Sequence, residues 1–229
     1  MNNAAPAASI LPAGSSDRII AVLMASGFSR RFGGANKLLV PFRGKPLARH
    51  TLDLVCGLRR FHRIFFVAAE EAVLALAGDL PVTAVRNEGP GRGQRESIRL
   101  GLAALGEHEQ PRPAADYYMF FPCDQPLLDA GTVRRIVAAR RPGCIVRPAY
   151  RGEPGNPALF SAVFRDELSR LGEGERGQDL IRRHPECLIT VEIAAPPFSP
   201  SSPCSPLTDI DDPHTLARLS ALPVKPEKT

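Results

Sequence analysis

Short apolar runs alternate along the chain with segments in which apolar residues recur at helical spacing. Four runs rich in β-branched or aromatic residues predict buried strands at 18–24, 63–69, 81–87 and 116–122. Apolar residues three and four positions apart predict helices over 45–58, 70–78, 93–105 and 130–141. Pro46 is expected in the first turn of the first helix, and Gly78 is expected to end the second.

This alternation of strands and helices predicts a Rossmann-like α/β fold: one domain with a mostly parallel central sheet and helices on both faces. Ligands of such sheets bind beyond the carboxyl ends of the strands. Three loops are therefore predicted to lie together there: 25–37, 87–96 and 122–126.

The last third of the chain has a less regular pattern. Residues 147–161 indicate a loop or hairpin excursion, and the Pro- and Ser-rich stretch 195–206 is predicted to be an exposed loop. An acidic turn then leads into a final helix, with Asp212 at its N-cap and Pro213 at its first position. We expect a disordered tail at 1–17, one domain at 18–222 and a short tail at 223–229.

Composition narrows the classes of protein to consider. The chain has 229 residues, 44% apolar and 23% charged, which are the proportions of an ordinary globular domain. It has no Trp and a net charge of only +5, which disfavours a nucleic-acid partner. Five scattered Cys indicate reduced thiols, and no signal peptide or apolar span is evident. A cytoplasmic protein that binds no membrane is expected.

Positive charge is concentrated in one window. From Arg18 to Leu52 the sequence has seven Lys or Arg residues and no Asp or Glu. Ala25, Ser26 and Gly27 allow a sharp turn whose amides can face an anion, and Arg31 and Lys37 can bind phosphate oxygens. A solvated basic loop is the alternative, but the missing acids favour phosphate binding.

Aspartates follow the predicted central strand and precede the last helix. Asp124 ends an apolar strand, so it is either a helix cap or a ligand of Mg²⁺ beside a phosphate. Asp209 and Asp211 could complete that site, whereas Asp212 is expected to cap the helix. Gly93 and Ser97 flank a predicted helix start, where free amides favour a phosphate or a polar base edge.

Several motifs resemble those of one family. The segment MASGFSRRFGGANKLL resembles the L-A-A-G-x-S-x-R-M-G…K signature of MobA-like nucleotidyltransferases, and CDQP, GNPALF and DIDDPHTL follow in the family's order. The resemblance extends over 18–220 and is to the molybdenum cofactor cytidylyltransferases in particular. Departures from the family pattern include Ser26 for Ala, Phe32 for Met and Asn156 for His.

The resemblance implies a role for each matching residue. It implies that the nucleotide is bound by Met24, Ala25, Ser26, Gly27, Arg31, Lys37, Gly93, Ser97 and Asp124, of which Lys37, Arg31 and Asp124 are catalytic. Mg²⁺ would be held by Asp124 together with Asp209 or Asp211. Gln125 and Asn156 would face the acceptor.

The implied reaction transfers CMP from CTP to the phosphate of molybdopterin and releases pyrophosphate, and a molybdenum hydroxylase could receive the product. Ser26, where guanylyltransferase relatives have Gly, and Gln125 favour CTP. GTP, a sugar or alcohol phosphate as acceptor, and a carrier that delivers the cofactor without catalysis remain as alternatives. An NAD-dependent enzyme is disfavoured because no G-x-G-x-x-G follows the first strand.

Overall fold

A computed structural model describes residues 17–106, 112, 116–194 and 204–222. Its strands are Arg18–Ala25 (β1), Pro41–Phe42 (β2), Lys45–Pro46 (β3), Arg63–Ala68 (β4), Thr83–Arg86 (β5), Asp116–Pro122 (β6), Ile145–Tyr150 (β7), Glu153–Pro154 (β8), Ala158–Ser161 (β9) and Leu188–Glu192 (β10). Its α-helices are Leu47–Gly57 (α1), Glu71–Leu74 (α2), Gln94–Ala103 (α3), Ala130–Ala138 (α4), Arg165–Ser169 (α5), Gly177–Arg183 (α6) and Pro213–Ser220 (α7).

The main sheet has the order β10-β7-β9-β6-β1-β4-β5, with the short β8 paired to β7. Strand β1 runs parallel to β4 and β6, and β7 runs parallel to β10. Strand β9 is antiparallel to both β6 and β7, so its amino end lies at the edge where its neighbours have their carboxyl ends. The predicted mostly parallel α/β sheet is confirmed, with one reversed strand inside it.

Strand β1 contributes alternate side chains to two cores, one on each face of the sheet. Ile19, Ala21 and Leu23 pack with α1, α2 and α4, whereas Ile20 and Val22 pack with α3, α5 and α6. Because both faces of the sheet are covered, the sequence of β1 is a continuous apolar run and does not alternate between apolar and polar residues. This explains why the sequence pattern identified it.

Helix α3 approaches β1 closely at Gly101. A Cβ added there would lie 2.4 Å from Cγ1 of Val22 and 2.8 Å from its Cγ2. Gly101→Ala is therefore expected to destabilise the protein by about 1–3 kcal/mol, measured by urea unfolding, because the overlap outweighs the better helix propensity of Ala. Gly57→Ala is the matched control, since its Cβ would meet nothing within 4 Å. Equal stability of both variants would contradict the close packing.

A third, smaller core anchors the carboxyl-terminal segment. Phe42, Leu47 and Leu127 pack there against Ile210 and Leu219. The predicted cap of α7 is confirmed, because Asp212 Oδ1 accepts a hydrogen bond from the Thr215 amide at 2.7 Å. None of the helices in these ranges is long and apolar enough to span a bilayer.

Several predicted boundaries need correction. The first helix begins at Leu47, not 45, because Lys45 and Pro46 pair with Pro41 and Phe42 as a small hairpin; Pro46 precedes the helix instead of lying in its first turn. The segment 70–78 divides into α2 and a 3-10 turn. Of the two predictions for residues 147–161, a loop or a hairpin, the structure shows the hairpin, which is formed by β7, β8 and β9.

The two predicted tails and part of the predicted exposed loop lie outside the described residues, which include only Asp17 of the first tail and 204–206 of the loop. Asp17, the described residue of the predicted first tail, accepts a hydrogen bond from Arg140 at 3.1 Å. The prediction of exposure is wrong at Cys204, which is buried in the third core.

Candidate active site

The loop after β1 holds Lys37 in a fixed place. Ser29 Oγ accepts a hydrogen bond from the Lys37 amide at 3.0 Å, and Asn36 Oδ1 accepts one from the Leu38 amide at 2.9 Å. Asn36 thereby caps a short 3-10 turn that begins at Lys37. Two side-chain anchors on consecutive amides leave this backbone little freedom, so the lysine side chain has a defined direction.

The Lys37 ammonium lies between two carboxylates. Its Nζ is 2.7 Å from Asp124 Oδ2 and 2.7 Å from Asp211 Oδ1, and the residue is only 7% exposed. Burial disfavours its charged form, but the charges and hydrogen bonds of the two carboxylates outweigh that effect and raise the pKa of Lys37. Lys37 is therefore a cation throughout the physiological pH range.

Asp124 lies just beyond the carboxyl end of β6. Its backbone carbonyl accepts a hydrogen bond from the Ile210 amide at 2.9 Å, which fixes the acidic segment 209–211 beside it. Its Oδ1 is buried and has no hydrogen-bond partner among the described residues. A buried carboxylate oxygen without a donor is costly, and a cation would relieve that cost.

Asp209 and Asp211 flank the buried Ile210 and contact different groups. Asp211 pairs with Lys37, whereas Asp209 Oδ1 accepts a hydrogen bond from Gln125 Nε2 at 2.7 Å. Although one side of Asp209 is exposed, the protein around its carboxyl and the charge of Asp124 raise the pKa of Asp209 to about 6.

The predicted metal ligands are hard carboxylate oxygens, which suit Mg²⁺ or Mn²⁺. The unpartnered Asp124 Oδ1 fits such an ion. Asp124, Asp209 and Asp211 do not form a tight three-ligand cluster in the described ranges; His184, Glu186 and Cys187 do, in a turn after α6 that lines neither cleft described next. Coordination of one cation by all three carboxylates would therefore need a rearrangement of their side chains.

Two clefts open at the carboxyl edge of the sheet and share a wall formed by Met24, Gln94, Pro122 and Asp124. The first, which we name the nucleotide cleft after the ligand that the sequence predicts there, has a volume of about 260 Å³ and is lined by Met24, Ser26, Gly27, Phe28, Lys37, Leu38, Pro90, Gly91, Gly93, Gln94, Ser97, Pro122 and Asp124. The second, the acceptor cleft, has about 410 Å³ and includes Gln125, Arg147, Asn156, Arg176 and Asp209 in its lining.

Most of the residues predicted to bind a substrate or a metal line these clefts, with three exceptions. Asp211 lines neither cleft, although it pairs with Lys37. Ala25 is buried in the core and lines neither cleft. Arg31 also lies outside both; its side chain is 71% exposed and 3.9 Å from Asp211. The role predicted for Arg31 as a phosphate ligand would need a movement of its side chain.

Several cations of the basic window pair with aspartates that lie outside this window in the sequence. Lys37 pairs with Asp124 and Asp211, whereas Lys45 and Arg49 both pair with Asp53, just outside the window. The absence of acids from the sequence window is therefore weak support for a phosphate site. The position of Lys37 in the cleft is the stronger argument.

Gln94, Phe28 and Arg147 are among the residues lining the clefts that the sequence did not indicate as site residues. Gln94, at the first position of α3, lines both clefts, and Phe28 is 55% exposed beside the nucleotide cleft. Gly93 makes the turn into α3 at a φ of 76°, which favours glycine, and its neighbour Gln94 could have been inferred from that. Arg147 of β7 carried no motif that could have indicated its position.

The fold and these clefts define the chain as an α/β nucleotidyltransferase. A sequence model described as the MobA-like NTP transferase domain matches residues 21–187, and the chain belongs to this family. A molybdenum cofactor guanylyltransferase from Shewanella putrefaciens is 30% identical over 69% of this chain and 77% of its own length. Nicotine blue oxidoreductase from Paenarthrobacter nicotinovorans is 29% identical over 75% of this chain and 84% of its own.

Solved structures agree on the fold. Rv0371c from Mycobacterium tuberculosis H37Rv is 25% identical with a TM-score of 0.69, covering 89% of this chain and 98% of its own. A complex of Rv0371c with manganese is 22% identical with a TM-score of 0.65, covering 89% and 97% of the two chains. The predicted family and fold are thereby confirmed.

Proposed function

We propose that the protein transfers a nucleotidyl group from a nucleoside triphosphate to the phosphate of molybdopterin, with CTP as the donor and GTP as the alternative. The observation that carries the proposal is the shared wall at Asp124. A donor in the nucleotide cleft and an acceptor in the other cleft would meet at this carboxylate. The relative named molybdenum cofactor guanylyltransferase supports the acceptor class and keeps GTP open.

The protein has to supply little covalent chemistry in such a transfer, because a phosphate nucleophile is already ionised at neutral pH. The chain must hold two anions together and stabilise the departing pyrophosphate. Lys37 supplies a fixed positive charge in the nucleotide cleft. Asp124, with Asp209 or Asp211, would hold Mg²⁺, which when bound neutralises phosphate charge between the two substrates.

The preference for CTP rests on the size of the nucleotide cleft. Ser26 lies in its wall, and its Oγ donates a hydrogen bond to the Val67 carbonyl at 3.3 Å. A side chain held at this place narrows the cleft compared with glycine. We infer that the base packs against Ser26, where a narrower space favours a pyrimidine over the larger purine.

Ser26→Gly is therefore expected to lower the preference for CTP over GTP by about tenfold, measured as the ratio of their kcat/KM values. Ser26→Ala keeps Cβ and is expected to retain most of the preference. A wild-type enzyme that already prefers GTP, or a glycine variant with unchanged preference, would contradict this role of Ser26.

The experiment that tests the function is pyrophosphate release by the full chain with molybdopterin and Mg²⁺, comparing CTP, GTP, ATP and UTP. Release that requires both a nucleotide and molybdopterin supports the proposal. Release with a sugar or alcohol phosphate would replace the acceptor but keep the reaction. Tight binding of the cofactor without release under any nucleotide would indicate a carrier instead.

A further inference from the structure

The turn between α6 and β10 brings three different metal-binding side chains together. One ligand atom from each of His184, Glu186 and Cys187 lies within 4.8 Å of the other two. His184 Nδ1 is 3.5 Å from Glu186 Oε1, and Cys187 Sγ is 3.6 Å from the same oxygen. An imidazole nitrogen, a carboxylate oxygen and a sulfur thus surround one small space.

The two measured separations agree with those of a tetrahedral metal site. Zn²⁺ binds nitrogen, oxygen and sulfur at about 2.0–2.3 Å, which keeps its ligands about 3.3–3.7 Å apart in tetrahedral geometry. Both distances from Glu186 Oε1 fall within this range. The mixture of nitrogen, oxygen and sulfur also indicates the kind of ion, because thiolate and imidazole ligands favour Zn²⁺ over Mg²⁺.

The backbone of this turn fixes the positions from which the three side chains extend. His184 follows the last residue of α6, and its amide donates a hydrogen bond to the Leu180 carbonyl at 3.2 Å. Its carbonyl accepts one from the Cys187 amide at 3.1 Å, which closes a 3-10 turn that begins at Pro185. The ligand positions are therefore set by the fold before any metal binds.

A side chain from another helix orients the His184 ring. Glu167 Oε2 in α5 is 2.9 Å from His184 Nε2, and the centroid of the Phe164 ring is 5.1 Å from that of the imidazole. A carboxylate that accepts a hydrogen bond from Nε2 leaves Nδ1, the nitrogen beside Glu186, free to bind a metal. Histidine ligands of metals usually have such a carboxylate on their second nitrogen. This contact is a separate observation, since α5 lies outside the turn.

An imidazolium held between two glutamates is the rival arrangement. Glu167 and, to a smaller extent, Glu186 raise the pKa of His184. A protonated ring could donate a hydrogen bond to each of them without a metal. The two arrangements differ at Cys187, because only the metal site uses its sulfur. They also differ in protons, since ligation requires an unprotonated Nδ1 and a thiolate.

We propose that His184 Nδ1, Glu186 Oε1 and Cys187 Sγ bind one Zn²⁺ ion, with water in the fourth position. Binding releases the thiol proton of Cys187 to the solvent, together with the Nδ1 proton of any His184 that is protonated. The ion joins the end of α6 to the start of β10 and stabilises the folded chain. Its ligands line neither cleft, so the site does not depend on the proposed transfer reaction.

The test is a titration of the reduced, chelator-treated full chain with Co²⁺, whose absorption reports its ligands. A thiolate-to-cobalt band in the near ultraviolet is expected to saturate at one ion per chain and to disappear when Zn²⁺ displaces Co²⁺. Cys187→Ser is expected to abolish the band. Glu167→Ala is expected to weaken Co²⁺ binding about 10- to 100-fold, because the His184 ring loses its partner. Cys144→Ser, which removes another half-buried free thiol, is the control and should leave the titration unchanged.

Thermal unfolding gives a second readout. Zn²⁺ at about 100 times its Kd is expected to raise the Tm of wild type by about 5–10 °C more than that of Cys187→Ser. No cobalt band in wild type would overturn the proposal and leave the imidazolium arrangement. A band retained in Cys187→Ser, or an equal rise in the Tm of both proteins, would overturn it by placing the metal elsewhere.

Discussion

Lys37→Ala is expected to lower kcat/KM for nucleotidyl transfer by about 10²- to 10³-fold, measured by pyrophosphate release. Among the described residues that line the nucleotide cleft, Lys37 is the one cation. Its loop is held by hydrogen bonds from the backbone to Ser29 and Asn36, which the substitution leaves in place. The loss should therefore appear in catalysis, with the circular dichroism spectrum unchanged.

Lys45→Ala is the matched control for this substitution. Lys45 comes from the same basic window but pairs with Asp53 at the surface, outside both clefts. Exposed ion pairs of this kind contribute little to stability, so activity should stay close to that of wild type. If Lys37→Ala were as active as Lys45→Ala, the nucleotide cleft would not use this lysine to stabilise phosphate charge.

The parallel part of the fold could be predicted because burial on both faces leaves a strong signal in the sequence. Strand β1 and strand β6 are apolar at nearly every position, as strands covered on both faces must be. Strand β7 was missed because Arg147 and Pro148 interrupt its apolar run. Strand β9 has only four residues, too few to distinguish a strand from a loop.

Only one feature of the candidate site was predictable: ligands bind beyond the carboxyl ends of parallel strands, which places the loops there together. Loops at the carboxyl ends of parallel strands meet, so Lys37 and Asp124 could be placed together. The contact between Lys37 and Asp211 joins residues 174 positions apart. It depends on the hydrogen bond from the Ile210 amide to Asp124, and no local pattern encodes that bond. Arg147 was missed for a similar reason, because no local pattern indicates that its strand lines the acceptor cleft.

Asp124→Asn is expected to reduce kcat by about 10³-fold, since it removes the charge at the wall between the two clefts. Asn has nearly the same shape, so packing beside β6 should be kept. A second readout is thermal stability: Mg²⁺ with CTP should raise the Tm of wild type by binding to the folded state, and this rise should be lost in the variant. The two readouts separate lost binding from misfolding.

Asp212→Asn provides the control because it removes the same charge one residue beyond Asp211. Asp212 caps α7, and Asn serves as an N-cap equally well, so fold and activity should both be kept. An Asp124→Asn enzyme with near wild-type turnover and an intact response of Tm to Mg²⁺ would exclude a metal at this carboxylate. The charge balance of the site would then rest on Lys37 alone, and the shared wall would position the substrates without neutralising them.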